Sequence, residues 1–137
     1  MELVRHRMVV PADTSKLCDL RESLSLLCEQ HGVPPKTVRR MVLAIDEALS
    51  NVIEHAHLRE DDQAIELSIE LCGDKIVAEI CDNGIPFDPT PYNCQPDQRG
   101  FPRRGFGLYL IHMIVDSVDY QRTREGRNIL TLTKGLD

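Results

Sequence analysis

The chain has 137 residues, of which 42% are hydrophobic, and this is enough to bury the core of one domain. Its formal net charge of −6 argues against a nucleic-acid partner, because binding to a phosphate backbone requires a basic surface. The sequence contains neither an apolar run long enough to span a membrane nor the apolar core of a signal peptide. We therefore expect a cytoplasmic protein with no membrane contact, formed by a single domain over residues 1–137.

The first part of the chain predicts a strand followed by two helices. The strand alternates loosely and ends at Pro11. Asp13 or Thr14 can then cap a helix over residues 16–30, where apolar residues recur at helical spacing before a glycine. Two consecutive prolines begin the second helix, which includes residues 41–57.

This second helix combines an apolar stripe with two polar residues that point roughly the other way. Glu47 and Asn51 are four residues apart, so both can reach one hydrated divalent ion. Taken alone, such a pair is more typical of a solvated helix surface. The apolar stripe consists of Met41, Val42, Ile45, Ala48, Leu49, Val52, Ile53 and Ala56.

The second part of the chain predicts two β-hairpins that flank a long loop and a helix. In order, these are strands over residues 64–71 and 75–81, a proline-rich stretch over 83–104, a helix over 105–116, and strands over 117–124 and 127–134. The proline-rich stretch is too long for a simple connection, so we expect it to close over a ligand. The element order predicts an α+β, two-layer sandwich with a mixed, mostly antiparallel sheet and helices on one face.

Two further motifs lie beside these elements. Asp82 follows the second strand of the first hairpin and precedes Gly84, so its carboxylate can accept a hydrogen bond from an exocyclic amine, although Asp-Asn-Gly is also a common turn. Gly105 and Gly107 open the third helix, where free N–H groups and the helix dipole favour phosphate oxygens. Each motif is weak evidence by itself.

Together, the motifs EALSN, DNGIPFDP and RGFGLYL resemble the GHKL (Bergerat) ATP-binding fold of gyrase, histidine kinases and MutL. Within that fold the chain is similar to the stand-alone anti-sigma serine/threonine kinases, and the resemblance covers nearly the whole chain. Two positions depart from the family pattern, because Pro86 and Arg103 stand where glycine is common.

The resemblance implies a role for each matching residue. Glu47 corresponds to the general base, Asn51 to the Mg²⁺ ligand, and Asp82 to the residue that reads the adenine amino group. The arginines Arg99, Arg103 and Arg104 are either γ-phosphate partners or a solubilising patch. The residues implied to contact the nucleotide are Asn51, Asp82, Gly84, Gly105, Phe106, Gly107, Leu108 and Thr131.

The resemblance also implies the activity and its partners. The expected protein is an ATP- and Mg²⁺-binding serine/threonine-protein kinase that phosphorylates a STAS-type anti-sigma antagonist and controls a sigma factor by partner switching. A homodimer is among the expected assemblies. The alternative is a partner-binding module of the same fold that transfers nothing. The presence of Glu47 favours the kinase.

Overall fold

The computed structural model describes residues 3–55, 64–86 and 104–136, except for the side chains of residues 55, 64 and 104–108. The greater part of the predicted ligand-closing loop, including Arg99 and Arg103, therefore lies outside the described residues, as does the predicted end of the second helix beyond residue 55.

All the predicted helices and strands are present. In chain order they are β1 (Val4–Pro11), a 3-10 turn (Thr14–Lys16), α1 (Leu17–Gln30), α2 (Pro35–His55), β2 (Ala64–Cys72), β3 (Lys75–Asp82), α3 (Arg104–Ile114), β4 (Ser117–Arg122) and β5 (Asn128–Gly135). Asp13 caps the 3-10 turn rather than the predicted helix: its Oδ1 accepts a hydrogen bond from the Ser15 N–H at 3.0 Å, whereas Lys16, the residue before α1, makes no side-chain capping bond.

The strands form one sheet in the order β1-β2-β3-β5-β4. All four pairings between the described strands are antiparallel, so the parallel pairing that a mixed sheet requires is not found there. The reason is that β3 and β4, which run in the same direction, are separated by β5. The α+β class predicted from the element order is confirmed.

One face of the sheet is covered by the helices and the other is open. Side chains alternate between faces along each strand, and in the three central strands the residues on the covered face are buried. On the open face, Arg5 pairs with Glu70 at 3.1 Å and Arg127 pairs with Glu66. On the covered face, the buried residues of the three central strands are Ile65, Leu67, Ile69, Leu71, Ile76, Ala78, Ile80, Asp82, Asn128, Leu130 and Leu132.

The helix α2 forms the centre of the helical layer. It packs against α1, α3 and β3, and the described part of its predicted apolar stripe belongs to the core. Arg21 of α1 also forms an ion pair with Asp46 of α2 at 3.0 Å. Among the described residues, no helix combines the length and apolar character needed to cross a membrane. The extent of the domain over residues 1–137 stays a prediction.

Candidate functional site

Asn51 and Glu47 lie one turn apart on α2, but their surroundings differ from the predicted solvated surface. Asn51 is buried, with 8% of its surface exposed, and Glu47 is half-buried. The prediction that Asn51 lies on an exposed face is wrong. The physical reason is that α2 packs against three elements, so more of its circumference is covered than a helix with one apolar stripe predicts.

The amide of Asn51 has an unmet hydrogen-bonding requirement. Its Nδ2 is buried and has no hydrogen-bond partner among the described residues. A buried amide donor without a partner costs about 1–3 kcal/mol, so such groups are rare in native proteins and often belong to binding sites. A half-turn about the terminal side-chain bond exchanges the nitrogen and the oxygen. The site therefore offers either a donor to a phosphate oxygen or an oxygen to a cation, and both fit a nucleotide bound with Mg²⁺.

Glu47 has the electrostatic character of a general base. Burial raises the pKa of its carboxyl group, and the nearby carboxylates of Asp46 and Glu54 raise it further. A carboxylate with a raised pKa holds a proton more tightly, which makes it a better proton acceptor once it is ionised. The residue thus combines partial access to solvent with increased basicity.

Asp82 ends β3 and is buried, with 4% of its surface exposed. Its Oδ1 accepts a hydrogen bond from the Gly84 N–H at 2.8 Å, which forms the turn that the Asp-Asn-Gly sequence allowed. The turn and the buried carboxylate therefore occur together. Both hydrogen bonds that Asp82 receives from described residues end on Oδ1, so its second oxygen has no hydrogen bond among them.

Asn128, at the start of β5, is a site residue that the sequence analysis missed. It lies opposite Asp82 in the sheet and is itself buried. Its Nδ2 donates to Asp82 Oδ1 at 2.9 Å and to the Gly84 carbonyl oxygen at 3.0 Å. A signal was available: Asn128 has the same alternation parity as Leu130 and therefore faces the helices.

Thr131 does not lie with Asp82, Gly84 and Asn128. It lies opposite Glu79 and Asp119 in the two neighbouring strands, on the open face of the sheet. Asp82 and Asn128 face the helices, because each shares its parity with the buried residues of its strand. Thr131 therefore lies on the opposite face of the sheet from Asp82, which argues against its predicted contact with a nucleotide held there, and the β5 residue that contacts Asp82 is Asn128.

The glycine motif opens the third helix, as predicted. The helix α3 begins at Arg104, so Gly105 and Gly107 lie in its first turn, where N–H groups have no intrahelical acceptor. The side chains of Phe106 and Leu108 lie outside the described set, as does that of Arg104. The helix α2 packs against both α3 and β3, so the three elements that carry the motifs are adjacent.

The fold and these motifs define a nucleotide-binding domain of the GHKL class. Residues 10–134 match the model of the histidine kinase-like ATPase domain, and the chain belongs to this family. Among relatives, it is 28% identical over 130 residues to the serine-protein kinase RsbW of Bacillus cereus (strain AH187), covering 90% of this chain and 80% of the relative.

Two solved structures are similar in fold. A crystal structure of RsbU and RsbW domains from Mycobacterium tuberculosis gives a TM-score of 0.70 at 19% identity, covering 96% of this chain and 32% of that chain. The present chain thus spans about a third of that protein chain. The crystal structure of the SiaB–SiaC complex from Pseudomonas aeruginosa gives a TM-score of 0.65 at 13% identity, covering 95% of this chain and 89% of that chain.

These similarities confirm the predicted family and fold class. The predicted activity, an ATP-using serine/threonine-protein kinase of the anti-sigma type, is also confirmed at the level of the class. The alternative of a binding module without kinase activity is not favoured. The roles of individual site residues stay predictions.

Proposed function

We propose that this protein transfers the γ-phosphoryl group of ATP to a serine hydroxyl of a protein partner, with the chemistry centred on α2. The observation that carries the proposal is the pairing, one helical turn apart, of a buried and unsatisfied Asn51 amide with the raised-pKa carboxyl of Glu47. A buried amide without a partner is unfavourable in a helix that serves only packing, whereas in a phosphate- or metal-binding site the ligand supplies the missing partner.

ATP is the substrate that the surrounding groups fit best. Asp82 is an acceptor-only group when ionised, so it suits the exocyclic amine of adenine and disfavours the carbonyl that guanine presents there. The N–H groups at Gly105 and Gly107 in the first turn of α3 suit the phosphate oxygens. Gly84 allows the backbone to approach the base closely.

Asn51 is the residue that would hold Mg²⁺, through its side-chain oxygen. When bound, Mg²⁺ neutralises negative charge on the phosphates, and in phosphoryl-transfer sites it usually takes only one or two ligands from the protein. A single amide oxygen at this position is compatible with that coordination. Arg104 at the start of α3 is a candidate for a further charge contact.

Glu47 would act on the attacking serine. Its carboxylate takes the hydroxyl proton as the serine oxygen bonds to the γ-phosphorus, while the bond from that phosphorus to the β-γ bridging oxygen breaks and ADP leaves. A general base of this kind typically contributes about 10²- to 10⁴-fold to the rate. The raised pKa of Glu47 supports this assignment.

The partner is proposed to be a STAS-type anti-sigma antagonist, with a sigma factor held in alternation, a homodimer as the working assembly and the cytoplasm as the location. The name serine-protein kinase, which relatives carry, supports a serine acceptor. The resemblance to anti-sigma kinases supports the alternation between partners. Light scattering of the purified protein, alone and with candidate partners, measures the assembly directly.

Transfer of labelled phosphate from ATP to candidate STAS-domain proteins tests the function, with nucleotide affinity measured alongside. Glu47→Gln keeps the shape of the side chain but cannot accept the proton, so we expect ATP to bind and transfer to be lost. Asp82→Asn should weaken ATP binding, and wild type should bind GTP far more weakly than ATP. Equal affinity for ATP and GTP, or wild-type transfer by Glu47→Gln, would contradict the proposal.

A further inference from the structure

Asn128 of β5 is hydrogen-bonded on two sides, to Asp82 of β3 on one side and to two residues of β4 on the other. The Tyr120 hydroxyl donates to Asn128 Oδ1 at 2.6 Å, and Arg122 Nη1 donates to the same oxygen at 2.7 Å. Arg122 Nη1 also donates to the Gly84 carbonyl oxygen at 3.1 Å. Tyr120 and Arg122 therefore connect the hairpin to the turn that follows Asp82.

These contacts fix which way the Asn128 amide points. Its Nδ2 faces only acceptors, namely Asp82 Oδ1, the Gly84 carbonyl and, at 3.3 Å, the Ile85 carbonyl. Its Oδ1 faces two donors. Turning the amide over would place its oxygen against a carboxylate and its nitrogen against two donors, so only one orientation satisfies the hydrogen bonds.

The fixed amide has a direct effect on Asp82. Oδ1 of Asp82 receives hydrogen bonds from both the Gly84 N–H and Asn128 Nδ2. Two donors on one oxygen define the plane of the carboxylate and leave Oδ2 without a hydrogen bond among the described residues. The free acceptor is thus presented in one direction rather than sampling several, and this is what discrimination between bases requires.

We propose that Asn128 is a positioning residue that orients Asp82 for reading the adenine amino group, and that Tyr120 and Arg122 hold Asn128 in the required orientation. This inference rests on the proposed function, because it assumes that Asp82 reads adenine. It assigns part of the nucleotide selectivity to β4, a strand at the edge of the sheet, which carries none of the motif residues.

The test compares the affinity of the full chain for ATP with that for purine riboside triphosphate, which differs only in lacking the amino group. The variants are Asn128→Leu, which replaces the amide by an apolar group of similar shape, and Tyr120→Phe, which removes one hydroxyl. Thr133→Val is the matched control, since Thr133 lies in the same strand on the opposite face. Asp82→Asn serves as the reference for loss of base reading.

We expect Asn128→Leu to weaken ATP binding by about tenfold, the equivalent of one buried hydrogen bond, and to leave the analogue's affinity nearly unchanged. Tyr120→Phe should reduce the preference for ATP by about two- to tenfold. In the kinase assay the KM for ATP should rise while kcat at saturating ATP stays at the wild-type value. General loss of structure would lower both affinities together, so the ratio separates positioning from folding.

The outcomes distinguish this inference from the proposed function. If wild type shows no preference for ATP over the analogue, Asp82 does not read adenine, and this inference fails together with the adenine-reading role of Asp82 in the proposed function, whereas phosphoryl transfer to a serine is tested separately by the kinase assay. If wild type prefers ATP and Asp82→Asn loses that preference, but Asn128→Leu and Tyr120→Phe keep it, only the positioning role is wrong. Should Asn128→Leu fail to fold, Tyr120→Phe decides, because it removes a single oxygen from a half-buried ring.

Discussion

Replacing Asn51 by leucine should stabilise the free protein while it abolishes nucleotide binding. The Asn51 Nδ2 is buried without a partner among the described residues, which costs about 1–3 kcal/mol. Leucine has a similar branched shape and no polar atom, and such swaps cost up to about 1.5 kcal/mol in imperfect packing. The net gain should be about 1 kcal/mol, equivalent to a rise in Tm of about 3 °C for a chain of this size.

Saturating nucleotide should reverse the order of the two melting temperatures, so that wild type becomes more stable than Asn51→Leu. A ligand at about 100 times its Kd stabilises the native state by about 2.7 kcal/mol, more than the gain from leucine, so with saturating ATP and Mg²⁺ the wild type should melt above Asn51→Leu. Glu47→Gln is the control, because it should keep the shift caused by ATP. Thermal unfolding with and without ATP measures all three proteins. If Asn51→Leu melts below wild type without nucleotide, the amide is satisfied in solution and the reasoning is wrong.

Three other predictions follow from the described contacts. Because the pKa of Glu47 is raised, this group stabilises the native state at low pH, and that contribution is lost as the pH rises through the raised pKa. The same raised pKa should appear in the kinetics: on the acidic side of the pH profile, kcat/KM should fall with an apparent pKa above that of an ordinary glutamate. An apparent pKa at or below the ordinary value would argue against Glu47 as the base. Gly126 has a φ of 88° and its added Cβ would lie 3.3 Å from Arg122 Nη2, so Gly126→Ala should lower the free energy of unfolding by about 1–2 kcal/mol in denaturant melts; an unchanged midpoint would contradict this. Burial raises the pKa of Cys28 and Cys81 to about 11, so alkylation of the native protein at pH 8 should spare both, and their rapid modification, seen by mass spectrometry, would refute the assignment.

The fold could be predicted from the sequence because its patterns are local. The strands β2 and β3 alternate with period two around a Gly73–Asp74 turn, and the structure reproduces that hairpin. The apolar stripe of α2 likewise predicted the buried side of that helix. Each of these signals is contained within one element or two adjacent ones, so it needs no knowledge of the overall packing.

The site was harder to predict because it depends on contacts between distant elements. The burial of Asn51 follows from packing of α2 against more than one neighbour, which a helical wheel does not contain. The pairing of Asn128 with Asp82 depends on β5 lying next to β3, although α3 and β4 intervene in the chain. The alternation along β5 was readable in advance: it places Asn128 on the same face as Leu130 and Leu132, and Thr131 on the opposite face.

The position of β1 at one edge of the sheet bears on how the molecule assembles and opens. Among the described strands its only neighbour is β2, from which two helices separate it in the chain. The hairpins β2–β3 and β4–β5 close only short loops, whereas pairing of β1 with β2 closes a long segment that contains α1 and α2. Because closing a longer segment costs more conformational entropy, β1 should dock late in folding. For the same reason it should be the first strand to detach from the native state, and its amide hydrogens should exchange with solvent before those of the central strand β3.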